Sequence, residues 1–364
     1  MPILKATTVL ACSLLMLNSL QQRSAFANNV DVVFATPVLL QITGDTDSNH
    51  IRIEETAPNV ITVTGLGGTT VNSGITPVMM AAPVIEMVFA RMGDGDDKVG
   101  VMNLSLDDNQ NGQLYVEGGD GEDRVGLYNV QTRVSITVDT GQHDDMVRSY
   151  LTTTRHYRIA TGAGNDGVAV EMFNVGSMKI TSDEGDDFMR ANTGTVHMDM
   201  AMSSGVDDDV IQVWNVDVYR DLTVSSWNGD DEIDVDFSNV GRSMSVLTAG
   251  GDDWLIMTNT MISDSLKVDT GQGNDLVGMI AVDAGNVGVA TFDGDDRVYL
   301  LAVFTATSLH VFQSDGEDQL FVQYCTSLSP EFHGGPGQDK FYIRPNSFPA
   351  PSVSYASSYE IWIP

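Results

Sequence analysis

The sequence predicts an all-β protein, a right-handed parallel β-helix (β-solenoid) of at least twelve coils with about 21–22 residues each. Three observations predict it: an Asp that returns at a nearly fixed interval, apolar residues that alternate with period two on both sides of it, and the absence of proline between Pro83 and Pro330. The Asp column comprises Asp97, Asp123, Asp145, Asp166, Asp187, Asp209, Asp231, Asp253, Asp275, Asp296, Asp318 and Asp339. Units this short cannot bury a core alone, so they must stack, and stacking sets equivalent positions in columns.

The first element of each unit is a turn. Glycine stands two residues before the Asp in ten of twelve copies, and an acidic or amide residue stands directly before it in all twelve. Glycine supplies the positive φ that such a corner needs. The second element is a strand after the Asp, whose second residue is apolar in all twelve copies and whose fourth is apolar in eleven, Ser149 being the exception. The third is a strand before the next turn: the residue seven before the Asp is apolar in all twelve copies and the residue nine before in eleven, Pro330 being the exception. Alternation of this kind turns every second side chain inward. None of the eleven prolines falls between Pro83 and Pro330, as a ladder that uses every N–H requires. The right hand follows by analogy with crossover connections between parallel strands.

These elements divide the chain into a leader (1–27), an N-terminal cap with degenerate coils (28–90), regular repeats (91–345) and a C-terminal capping tail (346–364). In the leader, Lys5 precedes an apolar run from Ala6 to Leu17, and Ala25-Phe26-Ala27 offers small residues for cleavage, the pattern of a secretory signal peptide. The competing lipoprotein reading of Cys12 has too few apolar residues before it. An imperfect coil surrounds Asn49, and residues 55–90 have no clear register. The leader implies a secreted, periplasmic or cell-surface protein. Removal of Cys12 would leave Cys325 as the one thiol, so no internal disulfide is expected.

A net charge of −32 argues against nucleic acid and anionic membranes as partners and favours cations. No run is long and apolar enough for a membrane span. At the repeated position Asn never replaces Asp in the twelve copies, whereas the preceding position accepts Asp, Glu, Asn and Gln. Like charges about 4.8 Å apart repel by roughly 1 kcal/mol in water and several-fold more at lower dielectric. Oxygen-rich turns with this excess of carboxylate suit a hard cation such as Ca²⁺. The alternative is that each Asp caps its turn by accepting backbone N–H groups.

The turn from Gly118 to Gly126, GGDGEDRVG, resembles the calcium-binding nonapeptide of RTX, or hemolysin-type, proteins, with the pattern G-G-x-G-x-D-x-U-x; the turns from Thr161 and Thr270 lack only the first glycine. The resemblance covers the turns alone. It implies Ca²⁺ held between neighbouring turns by backbone carbonyls and the Asp carboxylates, with Asp123, Asp166 and Asp275 as ligands. RTX nonapeptides run in tandem with a turn on both edges, whereas this chain has one such turn per coil. His143 and Asp207 replace the glycine in two turns, which weakens the expectation of calcium there.

Enzyme chemistry finds little support in the residues. β-Helices also carry polysaccharide lyases and hydrolases, but every coil repeats the same acid and no coil stands out. The six histidines show no metal-ligand spacing. The reading is therefore a non-enzymatic calcium-binding solenoid with a structural or adhesive role. The alternatives are a secreted lyase or hydrolase and a metal-free solenoid with Asp-capped turns. An outward apolar stripe that includes Trp214, Trp254, Ile280, Tyr299 and Phe321 is expected either to lie under the C-terminal tail or to meet extracellular glycans or surface proteins.

Overall fold

The computed structural model describes residues 28–107, 110–344, 354–355 and 359–362. The leader and most of the C-terminal tail lie outside these residues. The fold is an all-β solenoid of about twelve stacked coils, with no helix among the described residues. The register is unbroken along the strand that follows each Asp, while irregularities shift it between Ile262 and Ser265 and between Ala284 and Asn286. Val125 pairs in parallel with Val147, and the same column continues through Val168, Met189, Ile211, Ile233, Leu255, Val277, Val298, Leu320 and Phe341.

The inward positions read from the sequence are all in the core. Side chains two and four residues after each Asp, and seven and nine before it, are buried, except half-buried Ile343. Ser149, the polar exception, is buried by bonding to the Thr152 hydroxyl at 2.5 Å. Pro330 keeps its inward place in the strand Ser329–His333.

The sequence reading of two strands per coil needs correction, because the structure has three. Between the strand after the Asp and the strand before the next one runs a further segment, separate as Asn239–Val240 or fused into fifteen-residue strands such as Met146–Ala160 and Gly167–Thr181. Its inward residues include Thr132, Thr152, Thr154, Ser238, Thr260, Thr305 and Ser327. These hydroxyl residues stand among apolar ones such as Leu104, Val130, Phe173, Val216 and Val282 and interrupt the apolar alternation that marks a strand in sequence. The bend into this segment occurs six residues after each Asp. There, all eleven residues from Asn103 to Tyr324 take a left-handed backbone with φ of 47–57°.

The Asn49 coil is the first of the stack: Ile51 pairs in parallel with Val99, and Leu40 with Val88. The irregular residues beyond it form antiparallel hairpins. His50–Ala57 pairs with Val60–Gly65, which in turn pairs with Val78–Ala81. At the other end, Ser354–Tyr355 and Tyr359–Trp362 pair in parallel with the last regular coil. Coverage of the apolar stripe by the tail's side chains lies outside the described residues. On the stripe itself, Tyr299, Phe321 and Tyr342 stack face to face at 4.6 and 4.4 Å.

Candidate functional site

The stacking brings all twelve Asp residues into one column. It is internal, for each Asp is between 0 and 3 % exposed. Each carboxylate accepts, at Oδ1, the backbone N–H of the equivalent residue in the preceding coil. Asp123 accepts from Asp97 at 2.8 Å, Asp253 from Asp231 at 3.0 Å, and Asp339 from Asp318 at 3.2 Å. The column begins where Asn49 donates its N–H to Asp97 at 2.6 Å. The acid thus caps a turn, but the turn of its neighbour.

A second column runs beside it on the exposed edge, one residue earlier, in the opposite direction. Asp96, Asp144, Asn165, Asp186, Asp208, Asp230, Asp252, Asn274 and Asp295 each accept at Oδ1 the N–H of the equivalent residue in the following coil. Every Asp and Asn at this position does so, while among the described residues neither the Glu122 nor the Glu317 carboxylate accepts such a bond, although both donate their own N–H groups. One more methylene carries the carboxylate past the N–H. The freedom of this position to hold Asp or Asn follows, because acceptance needs an oxygen and no charge.

Other turn N–H groups reach carbonyls of adjacent coils, as from Gly251 to Gln272 and from Gly273 to Asp293. Coils approach so closely here that a Cβ on Gly273 would collide with the Gly251 carbonyl. His143 and Asp207 nevertheless take φ of 81° and 80°, so their coils keep the turn.

The second oxygen of the inner acids is different. From Asp97 to Asp318, eleven buried Oδ2 atoms have no partner in good hydrogen-bond geometry. Beside most of them stands a hydroxyl that the sequence reading missed. Thr140, Thr161, Ser182, Ser204, Ser226, Thr248, Thr270 and Thr291 lie five residues before the Asp of their own coils. Each hydroxyl is close enough to draw that carboxyl's pKa down. Five of them, on Thr161, Ser204, Ser226, Thr270 and Thr291, also lack a well-formed bond. The other three donate to the carbonyl of the next hydroxyl residue, as Thr248 does to Thr270 at 2.9 Å. Where glycine replaces the hydroxyl at Gly118, the carboxylate fills the space, and a Cβ there would strike Oδ2 of Asp123. Eight consecutive Ser or Thr residues at one repeat position were a legible signal.

Desolvation dominates the electrostatics of the column. It pushes Asp97, Asp123, Asp145, Asp187, Asp231, Asp253, Asp296 and Asp318 up to about 7. Asp166, Asp209 and Asp275 rise to about 6. Hydrogen bonds from backbone N–H groups and the nearby hydroxyl dipoles oppose the rise, and neighbouring acids add to it. Chemically the column is a line of hard oxygens that either takes up protons near neutral pH or takes a cation. Its oxygens suit Ca²⁺ in kind, but Ca²⁺ takes six to eight ligands, and Oδ1 is already committed in every coil.

At the N-terminal end Asn49 holds the Asp position and donates Nδ2 to Asp45 Oδ1 at 3.0 Å and to the Asp47 carbonyl. That irregular turn offers the acceptors an amide needs. No helix of the described residues is long and apolar enough to cross a membrane. No protein-family model matches the chain, and neither a curated protein nor a solved structure is similar to it.

Proposed function

We propose that the chain is an exported, non-enzymatic β-solenoid with a structural or surface-interaction role, and that the Asp column is the device that locks coil to coil. The observation that carries this reading is uniformity. Each inner acid makes the same bond to the coil before it, and all are withdrawn from solvent. Acid–base catalysis depends on carboxyls whose surroundings set them apart from one another. Here the surroundings make them alike. The leader-like first residues support export. The test is incubation with a panel of neutral and acidic polysaccharides: unchanged chain lengths are expected, and cleavage of any of them would remove the reading.

A second reading is favoured by the row of unpartnered Oδ2 atoms. Ca²⁺ bound along the column would be held by the Asp carboxylates from Asp97 to Asp339, together with neighbouring hydroxyls and carbonyls, and would neutralise their mutual repulsion. An ion that binds only the folded coils stabilises them by mass action. Calorimetric titration of chelated protein separates the two: several ions per chain with a raised melting temperature support calcium, and no heat with no shift at millimolar Ca²⁺ leaves the metal-free column.

A further inference from the structure

The strand segments of four consecutive coils, though not the turns between them, are richer in cations than the rest of the molecule. The segments 124–138, 146–160, 167–181 and 188–198 contain seven Lys or Arg and one acid, Glu171, in a chain with 50 acidic and 18 basic residues. Elsewhere five of the nine described cations are ion-paired, as in Arg91 with Glu117, Arg220 with Asp199, Arg242 with Asp221 and Lys267 with Asp269. None of the seven has an ion-pair partner among the described residues.

Four of them form two pairs on successive coils. Arg158 pairs in register with Lys179, so two like charges sit one strand apart. Arg133 and Arg155 stand two residues beyond the paired Gln131 and Thr153, which puts them on successive coils as well. All four are exposed. Like charges at strand spacing cost roughly 1 kcal/mol per pair in water. A chain with a surplus of carboxylates could have relieved each pair with one substitution.

Beside this rim lies a groove of about 330 Å³ whose lining includes Asn129, Gln131, Leu151, Thr153 and Met172. No charged group lines it. Amides and hydroxyls there can bond sugar hydroxyls, and Leu151 and Met172 can meet ring carbons. The aromatic residue of the lining, Phe173, is only 3 % exposed. No ring face is therefore offered for stacking a base, which disfavours a nucleic acid. Arginine at the rim matches carboxylate in charge and in its paired donors. The groove lines up over successive coils and each rim position carries a cation on two of them, which suits a ligand with more than one charge along its length.

We propose that this groove and its basic rim bind an acidic polysaccharide, a sugar chain that carries carboxylates. The proposal rests on the surface-interaction reading and names its partner. The test is calorimetry of the full chain with polygalacturonate in a chelating buffer, so that no ion bridges the sugar to the Asp edge. Binding is expected at low salt, weakening as salt rises, with none to neutral dextran. The triple substitution Arg133→Gln, Arg155→Gln, Arg158→Gln should weaken it on the order of tenfold at an unchanged melting temperature. Should that variant melt lower, Arg155→Gln alone is measured and should weaken binding several-fold. Arg220→Gln with Arg242→Gln should leave affinity unchanged. Absence of binding, equal binding of dextran, or equal affinity in the rim variants overturns the proposal and leaves the non-enzymatic reading standing. Shortening of the polygalacturonate would instead overturn that reading, while salt-sensitive binding lost in the rim variants would still support the site.

Discussion

At the residue scale, the inner Asp does two things that substitution can separate. Asp253 accepts the Asp231 N–H through Oδ1 and leaves Oδ2 against the Thr248 side. Asp253→Ala strands a buried N–H, so a loss of about 1–3 kcal/mol is expected, whereas Asp253→Asn keeps the acceptor and should lose less. Denaturant midpoints of both variants, in chelator, check the order. The raised pKa values give a pH dependence with a definite sign. Unfolded carboxyls titrate near 3.8, and the folded ones titrate at about 6 to 7. Between those values the folded state binds more protons, so the stability of metal-free protein should rise as pH falls from 7 towards 4. A melting temperature that drops over this window would show that the carboxyls are ionised and paired. The Asp column and its turn were legible in the sequence because one residue type never varies. Whether the acid cements coils or holds an ion was not, because both roles ask for an oxygen in the same place.

At the scale of elements, the two apolar strands of each coil were readable and the third was not. Residues such as Thr152, Ser238 and Thr260 interrupt its apolar inward positions, and the bend before it takes Asn129, Leu151, Met172, Thr193 and Phe237 alike. Asn holds four of the eleven bend positions, Asn103, Asn129, Asn215 and Asn259, and the other seven vary too widely to complete the pattern. The bend does leave strain, since a side chain in the left-handed region costs roughly 1–2 kcal/mol and Asn tolerates it best. Met172 sits there at φ 52° with 44 % of its surface exposed. Met172→Asn should therefore raise stability by up to about 1 kcal/mol, read as an upward shift in the denaturant midpoint. A decrease would mean that methionine's contacts outweigh the strain.

At the scale of the whole molecule, stability is a sum over neighbours, with its weak points at the ends. The N-terminal end is closed by antiparallel hairpins, a change of pattern that the sequence marked only as loss of period. At the C-terminal end, Ser354–Tyr355 and Tyr359–Trp362 pair with Ser329–His333 and Asp339–Ile343. Deletion after Asn346 would bare those strands as open edges. Oligomers or aggregates are expected by light scattering, and a monomer with an unchanged melting temperature would show that the segment contributes nothing to the stack.

The two hydrogen-bonded columns at the turn have a mechanical meaning. Pulled apart by its termini along the stacking direction, the rod carries load across the bonds between coils and along no strand, so it should yield like a zipper, from an end. Each coil that peels away frees about 22 residues, a contour length of about 75 Å in place of one strand spacing. Force spectroscopy of the chain should then record a series of low, nearly equal steps of that length. A single large rupture would mean that the coils fail together.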